Sequence, residues 1–281
     1  MVFSCHLIWG LQPIYFKLLK ASSYEVLALR ISFSSLLLFI FVLLTKRYKL
    51  VLFYLKDKRI FTHLFCAGLL ISLNWLVYIW ALLNNNILET SIGYFTGPIL
   101  SIFLAILFLK EKQSKFSKIA IFLATLALFN ELFWLGRLPF IAVILPLTFS
   151  IYVIIKKKIN VEAFEGLFVE TLCMVPISLA YIFYLKAQGN LDFALDLNGF
   201  LLGFTGFITV LPLVLFNLAT RYVRVSTLGF LGYFSPFLLA FLAVCVYKEP
   251  FASYRLISFA LIIIGLSFIS YESIKKEQER K

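Results

Sequence analysis

The feature that most constrains this chain is a succession of ten apolar runs, most of them about 20 residues long. They cover residues 1–19, 24–44, 61–83, 90–109, 118–135, 138–155, 166–185, 198–220, 225–247 and 251–271. A bilayer requires each spanning backbone to satisfy its own hydrogen bonds, and an apolar helix of this length does so. The runs therefore predict an all-α membrane protein with ten transmembrane helices and the lipid bilayer as its surroundings.

Composition argues against other classes of protein. Hydrophobic residues make up 62% of the chain and charged residues 14%, whereas soluble domains contain about 25% charged residues. The net charge of +12 is spread over short loops, so nucleic acid is not an expected partner. The four cysteines stand singly in apolar runs, and the sequence holds no nucleotide-binding, nucleophile-elbow or metalloprotease motif. We expect no metal, no cofactor and no enzymatic activity.

The distribution of basic residues predicts the orientation in the membrane. If the N-terminus is cytoplasmic, the inside loops and the tail hold 19 Lys and Arg residues and the outside loops hold 6. Cytoplasmic loops of membrane proteins carry an excess of Lys and Arg. The count predicts that both termini are cytoplasmic.

The two halves of the chain also resemble each other. A shift of 138 residues places Pro98 on Pro236 and the pair Lys110-Glu111 on Lys248-Glu249. Because the shift crosses five spans, the two halves must be oppositely oriented, as in many secondary transporters. We predict an N-terminal five-helix half over residues 1–135, a C-terminal half over 138–271 and a cytoplasmic tail over 272–281. Chance alignment of Leu- and Phe-rich spans is the alternative.

Several segments resemble a known family. They are NWLVYIWALLNN (74–85), ETSIGYFTGPI (89–99) and STLGFLGYFSPFLLAFLAVCVYKEP (226–250), with LALRISF (27–33), GLFVET (166–171) and LPLVLFNLATR (211–221). The chain resembles the RarD branch of the EamA transporters, in the drug/metabolite transporter superfamily. The resemblance implies a permease of a bacterial cytoplasmic (inner) membrane, with two inverted halves around a central cavity.

Arg30 is the first candidate residue for that cavity. It lies within the second apolar run, where an unpaired charge costs several kcal/mol, so we expect it to face the interior. Snorkelling towards the outer interface is the alternative. Glu170, within the seventh run, is the second candidate. It could pair with Arg30, bind a cationic group or carry a coupling proton, or it could simply lie at the interface.

The third run offers polar and aromatic candidates. Asn74 and Tyr78 are four residues apart, so they share a helix face, with Trp75 beside them. An apolar wall with a few polar groups is typical of a small-molecule site. Interhelical hydrogen bonding for Asn74 and an interfacial belt for the aromatic residues are the alternatives. Further cavity candidates are Tyr94, Asn217 and Tyr233, and Pro98 and Pro236 are expected to kink their helices.

These features favour a secondary transporter of small metabolites, with amino acids or related compounds as the first candidate substrates. The cycle would be alternating access between the inverted halves, and a proton is a candidate coupling ion. A channel or membrane scaffold is the alternative, and a membrane-embedded enzyme is a weaker one, because it would need clustered catalytic groups.

Overall fold

The computed structural model describes residues 2–109, 114–136, 138–220 and 234–278. The described residues form helices and no β-strand. The helices are α1 (Val2–Phe16), α2 (Ser23–Leu44), α3 (Tyr48–Lys56), α4 (Lys58–Leu83), α5 (Ile87–Leu109), α6 (Lys115–Leu135), α7 (Phe140–Lys157), α8 (Ala163–Ala187), α9 (Leu197–Thr220), α10 (Phe234–Phe241) and α11 (Tyr254–Gln278). A π-helical turn, Leu242–Val246, continues α10.

Four of the described helices are long and apolar enough to cross a membrane. They are α2, α4, α8 and the segment Tyr254–Glu272 of α11. Shorter apolar helices lie at Phe140–Lys156, Leu197–Pro212 and Phe234–Val246. The chain is therefore a multi-pass helical membrane protein.

The structure also contains a helix that the apolar runs did not predict. Helix α3 occupies the basic stretch between the second and third runs, where the apolar pattern predicts a loop. Asp57 ends α3 and caps α4, because its carboxylate accepts the backbone N–H of Ile60 at 2.9 Å. This cap starts α4 three residues before the predicted run.

Helix packing interleaves the N-terminal and C-terminal parts of the chain. Helix α5 packs against α7, α2 packs against α8 and α9, and α6 packs against α11. Glycines allow the closest approaches. A Cβ on Gly68 of α4 would lie 2.7 Å from the backbone oxygen of Glu170 on α8, and one on Gly206 of α9 would lie 2.7 Å from the backbone of Phe33 on α2.

Buried glutamates accept hydrogen bonds from backbone N–H groups at the starts of α5 and α7. Both carboxylate oxygens of Glu249 accept backbone N–H groups at the start of α5, from Ile87 at 2.8 Å and Leu88 at 2.9 Å. Glu89, in the first turn of α5, accepts the N–H of Ile141 at the start of α7, at 3.0 Å. Helix starts leave N–H groups unpaired and carry partial positive charge, so carboxylates stabilise them.

Two shallow grooves lie on the outside of the helix assembly. One, of about 420 Å³, lies between α6 and α11 and is lined by Phe116, Ile264, Ser267, Phe268 and Tyr271. The other, of about 360 Å³, lies between α2 and α8. Their largely apolar linings suit lipid chains, and neither includes Arg30.

Candidate functional site: a buried arginine in an aromatic box

Arg30 lies on the buried face of α2. Buried positions recur along this helix every four residues, at Val26, Arg30, Ser34, Leu38 and Val42. This spacing gives one helix face, so Arg30 takes a core position that an apolar residue would ordinarily occupy. Its side chain is only 4% exposed. The burial excludes snorkelling to the surface in this conformation.

Aromatic rings surround the Arg30 guanidinium. Its central carbon lies 4.5 Å from the ring centroid of Trp75 on α4 and 5.5 Å from that of Phe16 on α1. Both rings are buried. A cation over an aromatic face is attracted by the ring quadrupole, by about 2 kcal/mol or more when it is desolvated. The rings replace part of the hydration that Arg30 loses, but they provide no negative charge.

Two tyrosines complete this group of residues. The Tyr78 ring on α4 lies 6.1 Å from the Phe16 ring and 5.8 Å from the Tyr94 ring on α5. Both tyrosines lie within electrostatic range of Arg30. We call Phe16, Arg30, Trp75, Tyr78 and Tyr94 the Arg30 box. The structure thus brings four of the predicted cavity residues together, from helices α2, α4 and α5.

The guanidinium is not fully hydrogen-bonded. Among the described residues, Nε and Nη1 of Arg30 have no hydrogen-bond partner. Buried polar groups are nearly always paired, and a buried charge without a counter-charge costs several kcal/mol. An unpaired buried guanidinium is therefore a candidate binding group for an anionic ligand.

Two further polar residues near the box were missed by the sequence analysis. Gln12 lies one turn before Phe16 on α1, and Ser34 lies one turn after Arg30 on α2, so each shares a face with a box residue. Both side chains are buried, and Gln12 Nε2 and Ser34 Oγ have no hydrogen-bond partner in the described part of the chain. Isolated polar residues within apolar runs were the signal that could have found them.

Asn74 occupies a different position from the box. Its Nδ2 donates to the backbone oxygen of Leu145 at 2.8 Å and to Thr148 Oγ1 at 2.9 Å, both on α7. In this conformation the amide hydrogens join α4 to α7. This geometry matches the alternative role of an interhelical hydrogen bond.

Glu170 lies about two turns into α8, because that helix begins at Ala163, before the predicted run. It is fully buried and pairs with Lys156 Nζ on α7, and its Oε2 accepts a hydrogen bond from the Tyr152 hydroxyl at 3.1 Å. The burial argues against a position at the interface. Within the described residues Glu170 forms no ion pair with Arg30.

A second ion pair lies near the predicted cytoplasmic end of α8. Arg47 Nη1 lies 3.0 Å from Glu165 Oε1, and the backbone N–H of Glu162 donates to the Tyr54 hydroxyl at 2.9 Å. Burial raises the pKa of the Tyr54 hydroxyl above its usual value of 10.0. The contacts tie α3 and the loop after α2 to the start of α8.

The remaining predicted residues are only partly described. Tyr233 lies outside the described residues, and for Asn217 and Pro98 only the backbone path in α9 and α5 is described. Pro236 is buried in α10, and its carbonyl oxygen accepts a hydrogen bond from Ser91 on α5 at 2.7 Å. The described residues include no cluster of three or more His, Cys, Asp or Glu side chains that could hold a metal ion.

Comparison with known proteins identifies the family. The model of the EamA-like transporter family matches residues 1–130 and again 138–271. An "uncharacterized transporter" of Vibrio cholerae is 38% identical over 98% of this chain and 92% of its own length. Protein RarD of Salmonella typhi is 33% identical over 100% of this chain and 96% of its own. A Bacillus subtilis protein, also named an uncharacterized transporter, is 33% identical over 98% and 94%. The chain belongs to the EamA-like transporter family, membrane transporters of the drug/metabolite superfamily, and is similar to their RarD members.

Proposed function

We propose that this protein is a secondary transporter that moves small metabolites across the bacterial cytoplasmic membrane without ATP. Amino acids and related compounds are the first candidate substrates. The observation that carries the proposal is the Arg30 box, in which a buried guanidinium with unpaired nitrogens lies among aromatic rings from three other helices. Aromatic walls around a few polar groups suit a small-molecule site.

The transport cycle we propose is alternating access between two inverted five-helix halves. Two stretches of the chain match the same family model, which supports the division into halves. The repeat of Pro98 at Pro236 and of Lys110-Glu111 at Lys248-Glu249 supports it independently. Similar halves can rock about a site between them. The driving force would be an ion gradient or exchange of substrates, with a proton as the candidate coupling ion.

Flux into liposomes tests this function. Comparing metabolites inside and outside cells with and without the protein would first identify candidate substrates. Purified protein in liposomes should then move such a substrate without ATP, and the rate should saturate with substrate concentration. Ion conductance that does not saturate would indicate a channel instead. Formation of a product without flux would indicate an enzyme.

The proposed orientation places both termini and the junction of α3 and α4 at Asp57 in the cytoplasm, and the loop around Asn85 outside. Single cysteines introduced at positions 85 and 57 of a cysteine-free variant would report it. An impermeant thiol reagent added to intact cells should label position 85 and leave position 57 unlabelled. The reverse pattern would overturn the orientation.

A further inference from the structure

We propose that the Arg30 box binds the carboxylate of a small organic monoanion that has an apolar body and carries no ammonium group. The inference rests on the transport function proposed above, because it names the substrate class of that same site. It follows from the charges buried in the described residues and from the shape of the box.

No described acidic side chain is free to neutralise Arg30. Six buried glutamates are described, and each is engaged elsewhere. Glu25 accepts the N–H groups of Asp192 and Phe193, Glu89 and Glu249 cap helix starts, Glu131 binds Ser258, Glu165 binds Arg47, and Glu170 binds Lys156. The segment 221–233, which the structure does not describe, contains no Asp or Glu.

None of the described residues therefore provides the counter-charge of Arg30, and we assign that charge to the ligand. An uncompensated charge in a dry helix assembly is costly, and an anion placed beside it removes most of that cost. A ligand that brings the negative charge binds where the protein provides only the positive one.

The rings and hydrogen-bond donors of the Arg30 box favour a particular charged group on the ligand. The guanidinium carbon of Arg30 lies 4.5 Å from the ring centroid of Trp75 and 5.5 Å from that of Phe16. The unpaired Nε and Nη1 donate on different sides of the planar group, so each can meet an anion separately. A carboxylate oxygen can accept a charge-assisted hydrogen bond from either nitrogen. The Tyr78 and Tyr94 hydroxyls, within electrostatic range of Arg30, can donate to the same anion.

The surroundings of Arg30 also limit which further charged groups the ligand can carry. Arg30 is the one buried Arg or Lys in the described part of the chain. A second carboxylate would therefore lack a partner. An ammonium group would add a second positive charge beside Arg30, and the described buried glutamates that could neutralise it are bonded elsewhere. The aromatic walls favour an apolar or aromatic body. These conditions narrow the candidate substrates from amino acids and related compounds to related carboxylates that lack the amino group.

Binding to purified protein in detergent micelles tests the inference. The probes are monocarboxylates of increasing apolar size, from acetate to octanoate, and 3-phenylpropionate. Matched controls are 3-phenylpropanol, phenylalanine, phenylsuccinate and chloride. Affinity is measured by calorimetry and by the ligand-induced shift of the thermal unfolding midpoint. We expect a monocarboxylate to bind about tenfold or more tightly than its alcohol, amino-acid and dicarboxylate counterparts.

Variants assign that binding to Arg30. Arg30→Lys keeps the charge but removes the planar guanidinium with its Nε–H and Nη1–H donors, and should weaken binding about tenfold, whereas Arg30→Met should abolish it. Arg47→Met, which removes an arginine paired with Glu165, is the control and should bind as the unmodified protein does. Equal binding of the alcohol or of phenylalanine would overturn the inference, as would absence of binding across the whole series. Competition by chloride alone would mean an adventitious ion only, and would also overturn it.

The same reagents separate this inference from the transport function. Saturable flux of a neutral or zwitterionic substrate that persists in Arg30→Met would contradict the proposed carboxylate site and support the proposed transport function. Arg30-dependent binding of a carboxylate, with no flux of any bound compound, would contradict the proposed transport function and support the proposed carboxylate site.

Discussion

Arg30 on α2 and Glu170 on α8 are both charged residues within apolar runs, and the structure gives them opposite surroundings. Glu170 is fully buried but has Lys156 and Tyr152 as partners. Arg30 is almost as buried, and its Nε and Nη1 have no partner among the described residues. A charge inside a membrane protein is often functional. The comparison shows that two charged side chains can be similarly buried and still differ in whether the described residues provide partners for them.

Glu170→Ala tests the paired side of the comparison and should have the largest effect. The substitution leaves Lys156 and Tyr152 without their partner, and breaking a buried pair costs about 3 kcal/mol or more. The free energy of unfolding, measured by denaturant titration in micelles, should fall by that amount. Replacing both Lys156 and Glu170 by Met should recover most of the loss. Unchanged stability of Glu170→Ala would show that the pair does not hold α7 to α8.

Glu249→Ala extends the test to a paired acid at a helix start. The change removes two hydrogen bonds from the first N–H groups of α5. Loss of a helix cap costs about 1–2 kcal/mol, so stability should fall by less than in Glu170→Ala. The same denaturant titration measures it. Gln278→Ala, at an exposed position at the end of α11, is the control and should be neutral.

Arg30→Met tests the unpaired side, and its effect on stability should have the opposite sign. Removing an unpaired buried charge is favourable, while losing the contacts with Trp75 and Phe16 is not. We expect the ligand-free protein to become more stable by about 1 kcal/mol, as the balance of these two effects. If Arg30→Met destabilises the protein as much as Glu170→Ala does, Arg30 has a counter-charge within the chain and the comparison fails.

Arg47→Ala should have the smallest effect. Arg47 pairs with the buried Glu165, but its own side chain is 48% exposed. Water and salt weaken such a pair to about 0.5 kcal/mol. The effect should shrink further in concentrated salt, as measured by thermal unfolding at two ionic strengths. A loss as large as that of Glu170→Ala would mean that exposure is a poor guide to the strength of these ion pairs.

Helix content and four of the five residues of the Arg30 box could be predicted from the sequence, whereas Phe16 and the hydrogen-bond partners could not. Apolar runs define helices because the bilayer leaves the backbone few alternatives. Trp75 and Tyr78 share a face by helical spacing, and both line the box. Spacing within one helix cannot say which neighbour a polar group meets, so Asn74 was assigned to a cavity although its amide bonds α7. Spacing in the sequence also could not predict that Glu249 accepts hydrogen bonds at the start of the distant helix α5.

The hydrogen bonds from Glu249 to α5, and from Glu89 to α7, have a consequence for the continuity of the chain. Each joins a residue of one stretch matched by the family model to a helix start in the other. The two stretches are thus held together by contacts that do not depend on the peptide bonds between them. Fragments 1–136 and 138–281, co-expressed as separate polypeptides, should copurify as one complex. A cut placed in the middle of α5 should prevent that assembly, because it divides a helix that both stretches need.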